Sequence, residues 1–344
     1  MTSVDKFQKN LNPFFLDIYF SRNIYLERTM YNILIVDITD YKIELSELFQ
    51  QNGYNVIICE SAFDAMSKLK AFDFNLIISE IELPGDNAFD LYNYINKHYP
   101  YIPIIMTTEK NIDVFFDRIF QEAIGNVLCK PVKNNEILNL AEKLITKKNI
   151  FGLKNHMKDI VETKKIRINA STQIEKAINL TFKQIVAWGF HIEKKMIFTL
   201  ILNELIINAV YHSYGYTKEK ENRIPIILKE EEFVDIFFAK NQNSYGISIN
   251  DYKGKLSKIR ILECINNVIE QQQLILRASE TGEDISDKIS VSGRGIDLIR
   301  KLAGEYYFII KKDFRTEIIL LYDLNSSNEN KEFHSLKIIE DINI

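Results

Sequence analysis

The amino-acid sequence predicts a parallel α/β domain followed by an α+β domain, and three observations predict it. Between residues 31 and 147, short solid apolar runs alternate with amphipathic stretches. Beyond residue 165 the order changes to one strand, two long helical patterns and then strands joined by a polar turn. A chain of 344 residues, 46% of them hydrophobic, is also long enough for two cores.

In the first half, Ile33, Leu34, Ile35 and Val36 read as a buried strand. Residues 41–51 follow as a helix with Ile43, Leu45, Leu48 and Phe49 apolar. Strands at 56–58, 76–78, 102–106 and 126–129 then alternate with helices at 62–70, 88–97, 113–121 and 135–146. Solid apolar strands separated by helices indicate a parallel sheet covered on both faces. Five such units in about 115 residues make a flavodoxin-like domain over 31–147. Residues 148–164, rich in lysine, read as a linker with a solvated face.

The second half opens with a strand at 165–169 and helices at 171–188 and 193–213. Strands at 225–229, 233–239 and 245–250 come next, the last two paired as a hairpin across Asn241, Gln242, Asn243 and Ser244. A polar helical stretch at 257–277, a loop to 292, a helix at 295–303 and strands at 306–311 and 316–322 complete it. This is an α+β layer with its helices on one face. The tail, 323–344, is Asn, Ser, Glu and Lys rich and reads as loose, with Leu336, Ile338 and Ile339 available to dock. Residues 1–29 read as an appended arm, or as the product of a start codon set too early, because Met30 directly precedes the first strand.

With 43 basic and 47 acidic residues the net charge is −4, which offers no pull toward nucleic acid or an anionic membrane. No apolar run reaches the roughly 18–20 residues that span a bilayer. Cys59, Cys129 and Cys264 form no CxxC pair, so a cytoplasmic location is expected.

The first domain resembles the response-regulator receiver over nearly its whole length. The residues that carry the likeness are Asp37 after strand one, Glu80 after strand three, Thr108 after strand four and Lys130 before Pro131. In that family these strand ends gather an acid pair, a phosphate-accepting Asp, a switch Thr or Ser and a Lys, at the edge where open α/β sheets bind ligands. Here Ile38 replaces one acid and Glu80 stands at the acceptor, so the resemblance implies a pseudo-receiver. A lysine able to pair with Glu80 leaves a permanent charge there. Glu82 reads as solvated on the loop side. Residual strand-end packing of Asp37, Thr108 and Lys130 stays open beside a signalling role.

In the second domain Glu204, Asn208 and His212 fall four apart within ELIINAVYH, on one helix face. Further on, Ser292, Gly293, Arg294 and Gly295 precede a helix, where unpaired N–H groups and small residues favour phosphate. This pair of motifs resembles the N box and second glycine box of the GHKL ATPases, in the anti-sigma-factor serine kinase branch, and Thr316 resembles the closing strand. The first glycine box matches imperfectly: Asp251 ends a strand, lysines 253 and 255 hold its glycine positions, and Gly254 is displaced by one. The resemblance implies ATP as ligand, Asp251 on the adenine amino group, Asn208 on magnesium, and Glu204 polarising the nucleophile. It implies a protein partner, such as a sigma factor or an anti-sigma-factor antagonist, a possible serine kinase activity and a homodimer as an available assembly. A non-catalytic two-domain scaffold is the alternative. A sensor histidine kinase fits poorly, because His156 lies in no phosphoacceptor setting.

Overall fold

The computed structural model describes residues 30–192, 194–282, 284, 294–323 and 334–341. Its first half is the expected alternation: β1 (Asn32–Val36), α1 (Tyr41–Gln51), β2 (Asn55–Cys59), α2 (Ala62–Ala71), β3 (Leu76–Glu80), α3 (Asn87–His98), β4 (Ile104–Thr108), α4 (Phe116–Gln121), β5 (Asn126–Cys129) and α5 (Asn134–Thr146). The strands run parallel in the order β2-β1-β3-β4-β5. Leu34, Val36, Ile77 and Met106 face one side, Ile33, Ile35, Leu76 and Ile78 the other, so both faces demand helical cover.

The second half contains β6 (Glu162–Ile168), α6 (Ile174–Ala187), α7 (Lys195–Ile207), α8 (Thr217–Glu221), β7 (Val234–Lys240), β8 (Ser244–Asp251), α9 (Lys258–Thr281), α10 (Arg294–Leu302), β9 (Glu305–Lys311) and β10 (Arg315–Asp323). The hairpin at 241–244 is present, its turn held by Asn241 Oδ1, which accepts from the backbone of Asn243 and Ser244. The strand expected at 225–229 is reduced to a single bridge between Ala170 and Ile227. Helices α6, α7, α9 and α10 bury Ile178, Leu205, Ile265 and Ile299 on one face of the sheet.

Two segments that read as mainly polar take part in the core. In the tail, Leu336, Ile338 and Ile339 dock as the sequence allowed: β11 (Leu336–Glu340) pairs antiparallel with β5 and then parallel with β9, so both halves share one sheet of 11 strands. Alternation drives it, since Leu336 and Ile338 enter one core while Ile339 enters the other. Lys337 is buried on Glu136, so even the polar residue of that strand is partnered within the first half. The linker is not merely a solvated face. Ile150, Leu153 and Met157 cover the helix-free side of the second half's sheet beside Ala239, Ile309 and Ile319. The N–H of Gly152 donates to the buried Glu317 carboxylate at 2.7 Å.

A further joint lies beside α10. Arg300, with a fully buried side chain, donates to Asp297 on its own helix at 2.7 Å and to Asp113 of the first half at 2.5 Å. Helix α9 packs across α4. Residues 1–29 lie outside the described residues. No helix among the described residues is long and apolar enough to cross a membrane.

Candidate functional site

The strand-end residues of the first half do converge. Lys130, whose side chain is 7% exposed, donates to Asp37 Oδ2 at 2.8 Å and closes directly on Glu80 Oε2. The other Asp37 oxygen accepts from the backbone N–H and the hydroxyl of Thr39, both at 2.7 Å, so residue 38 contributes no acid and residue 39 fills the gap. Burial pulls the Lys130 ammonium down, but the two carboxylates more than offset this and its pKa ends above the ordinary lysine value.

Glu82 is not solvated as the sequence suggested. It is half-buried, accepts from Thr108 Oγ1 at 2.8 Å and turns its other oxygen inward. Glu80 Oε1 and Glu82 Oε2 are both buried without a donor. One proton shared between them satisfies both, as for any two carboxyls forced together. Burial, and then Glu82, accordingly push the Glu80 pKa up to about 8, against the opposing pull of Lys130. Chemically this pocket is filled: its cation is internal and its acceptor position is a glutamate already engaged.

The second candidate pocket is assembled at the end of α7. The helix there widens into one π turn over Asn208–His212, a local underwinding often found at functional positions. Gly215, with φ of +85°, reverses the chain, and α8 folds back on the turn it has just left. Two contacts fix that return: Tyr216 N–H donates to Tyr211 O at 2.8 Å, and Tyr211 OH donates to Ile224 O at 3.1 Å. Lys220 of α8 thereby reaches Asn208 Oδ1 at 2.9 Å and His212 Nε2 at 3.1 Å. Nothing in the local pattern marks Lys220, which sits in TKEKE and reads as a solvated charge.

Gly295 packs flat on Glu204. A Cβ at that position would lie 2.8 Å from Glu204 Cβ, so only glycine lets α10 approach α7 this closely. Arg294 begins α10, while Gly293 lies outside the described residues. Asp251 is buried at the end of β8, and Thr316 stands directly across from it in the ladder with β10. Ser213, one residue past the π turn, bonds the same carboxylate, which links this strand end to α7. Burial raises the Asp251 pKa, while N–H donation from Lys253 and Gly254 opposes the rise.

Asp251 Oδ1 closes a tight turn by accepting from the N–H groups of Lys253 and Gly254, both at 3.0 Å. Gly254 has φ of +58°, and a Cβ there would meet Lys311 O at 2.2 Å, so the displaced glycine is required. The lysines on either side do not crowd the turn. Lys253 reaches out to the largely buried Glu232 at 3.2 Å, and Lys255 pairs with Asp313 at 2.6 Å on the surface.

Comparison with known proteins assigns the first of these regions. Residues 33–142 match the response regulator receiver domain and form a domain of that kind. The probable transcriptional regulator ycf29 of Pyropia yezoensis is 32% identical over 107 residues, 30% of this chain and 47% of that protein. The two-component response regulator-like PRR1 of Oryza sativa subsp. japonica is 27% identical over 145 residues, 40% of this chain and 28% of that protein. Regulatory protein VanR of Enterococcus faecium is 26% identical over 194 residues, 54% of this chain and 82% of that protein. The chain thus spans about half or less of the first two relatives. Among solved structures, the chemotaxis response regulator CheY4 of Vibrio cholerae aligns at 23% identity over 34% of this chain and 99% of its own, with a TM-score of 0.32.

Proposed function

We propose that this chain is a signalling regulator in which a receiver domain, fixed in one state without phosphorylation, is joined to a nucleotide-binding domain of GHKL type that acts on a protein partner. One observation carries the second half of this reading. Motif residues separated by up to 112 positions pair off near the end of α7: Gly295 packs on Glu204, and Thr316 faces Asp251, whose carboxylate Ser213 also bonds.

Adenine nucleotide fits the residues present. The buried Thr316 hydroxyl stands beside the Asp251 carboxylate, and an exocyclic amine with its neighbouring ring nitrogen would engage both. The end of α10, with Gly295, offers the backbone approach that phosphate needs. Magnesium does not fit beside Asn208, because Lys220 already holds that oxygen. The partner is of the kind the resemblance implies, a sigma factor or an antagonist of an anti-sigma factor.

Calorimetric titration of the full chain with ATP tests the reading; a fragment is unsuitable because the sheet and both cores run through the two halves. Asp251→Asn is expected to weaken ATP roughly 10–100-fold, the scale of one hydrogen bond to a charged group. GTP is expected to bind poorly, since its O6 accepts where adenine donates. Absent ATP binding, or equal affinity for ATP and GTP, returns the scaffold reading. If the partner is a substrate, Glu204→Ala lowers transfer by about 10²–10⁴-fold and leaves ATP affinity intact. For the receiver domain, incubation with acetyl phosphate and magnesium is expected to add no acid-labile mass, and phosphate mapped to Glu80 would overturn the claim.

A further inference from the structure

We infer that Lys220 is a built-in cation standing where a metal ion would sit, so that a nucleotide polyphosphate binds here without magnesium; this rests on the nucleotide reading above. The geometry of the donors carries it. Lys220 Nζ reaches two acceptors on the π turn, Asn208 Oδ1 at 2.9 Å and His212 Nε2 at 3.1 Å. An ammonium has only donors, so His212 Nε2 must be the bare nitrogen and Nδ1 must carry the hydrogen. Nδ1 lies 3.1 Å from Thr217 Oγ1, an acceptor at the start of α8. The ring is therefore held as a neutral acceptor. Its partial desolvation, and then the cations Lys220 and Arg260, bring its pKa down to about 4 although the residue keeps an exposed edge.

Both ligands of the ammonium are thus uncharged, and its positive charge is left unneutralised at contact distance. Glu204 acts on it through space, but no ion pair between them occurs among the described residues. Two of the three ammonium protons are used, and the third is free for an anion. A magnesium ion competing for the same amide oxygen would face a fixed like charge within a few ångströms, which strongly disfavours it in a partly buried site. Lys220 does not swing aside freely, because α8 is tied to the helix it covers by Tyr216 N–H and Tyr211 OH. The ligand class is a nucleoside di- or triphosphate whose phosphate chain meets the ammonium beside the end of α10.

Titration of the full chain with ATP, once with magnesium and once with EDTA, tests this. The wild type is expected to bind equally in both. Lys220→Gln is expected to lose roughly 10–100-fold in EDTA, the scale of a charge-assisted hydrogen bond, and to regain part of it with magnesium. Lys220→Arg, which keeps the charge, reports whether a loss in Lys220→Gln is electrostatic, and thermal melting shows that both variants are folded. Wild-type binding that requires magnesium overturns the inference and leaves the nucleotide reading intact. Binding in neither buffer removes the nucleotide reading, and the inference with it. Equal affinity of Lys220→Gln and wild type in EDTA also overturns it.

Discussion

Two lysines in this chain reach into the candidate sites of its two halves, and they sit there on different terms. Lys130 touches two carboxylates, Asp37 and Glu80, and all three side chains are buried. Lys220 touches an amide and a neutral imidazole and remains half-exposed. The first cation is neutralised by the protein itself, so the pocket has no electrostatic demand left. The second keeps its charge on a half-exposed side chain with uncharged partners. The residue type is the same; the ionisation of its partners decides whether its charge is neutralised within the protein or left for an anion, as proposed for Lys220.

Breaking the closed pocket has the largest expected effect. Lys130→Met leaves the buried Asp37 carboxylate with no counter-charge and Glu80 without its donor, which costs about 3–5 kcal/mol, measurable by urea unfolding at neutral pH. A loss below about 1 kcal/mol would mean that solvent already screens the pair. Next comes Gly295→Ala, whose Cβ would sit 2.8 Å from Glu204 Cβ. Forcing α10 off α7 is expected to cost about 1–3 kcal/mol and to weaken ATP at the same time. An alanine variant as stable and as competent as the wild type would show that the two helices separate freely.

The shared proton sharpens the comparison further. Glu80 titrates near 8 in the folded chain against an ordinary 4.5. Between those values the folded chain holds a proton that the unfolded chain has released, so stability falls as pH rises across the window. Glu82, Lys130, Asp37 and Tyr41 face the same pocket, and Glu80→Gln removes only the titrating member while keeping a donor for Glu82. The melting temperature of the variant is expected to vary less between pH 5 and 8 than that of the wild type. Identical pH profiles would count against the shared proton. The smallest effect belongs to Lys42→Ala at the pocket rim. Its partner Glu60 is 70% exposed, and the change is expected to stay within about 0.5 kcal/mol.

What the sequence by itself determined is local. Runs such as Ile33 to Val36 and the apolar faces of 41–51 and 135–146 state their secondary structure within a few residues, because side chains two or four positions apart share a face. The same range covers Asp37, Glu80, Thr108 and Lys130, which stand at strand ends that a parallel sheet must align. It also covers the DxxG turn, where Asp251 accepts from the N–H groups two and three residues further on. Tertiary structure alone decided the rest. Lys220 is one of several charges in a short polar helix, and nothing near it in the chain reports the chain reversal that lays it on Asn208. Glu82 reads as a loop carboxylate until Thr108, 26 residues away, donates to it. Leu336 to Glu340 carries apolar residues able to dock, but only the folded chain shows that it pairs with β5 on one side and β9 on the other, joining the two halves. Arg300 finds Asp113 across 187 residues of sequence. Local patterns encode which backbone shape is favourable, whereas the partner of a charged group is set by which surfaces are pressed together after the chain collapses. That choice leaves no periodic trace in the sequence.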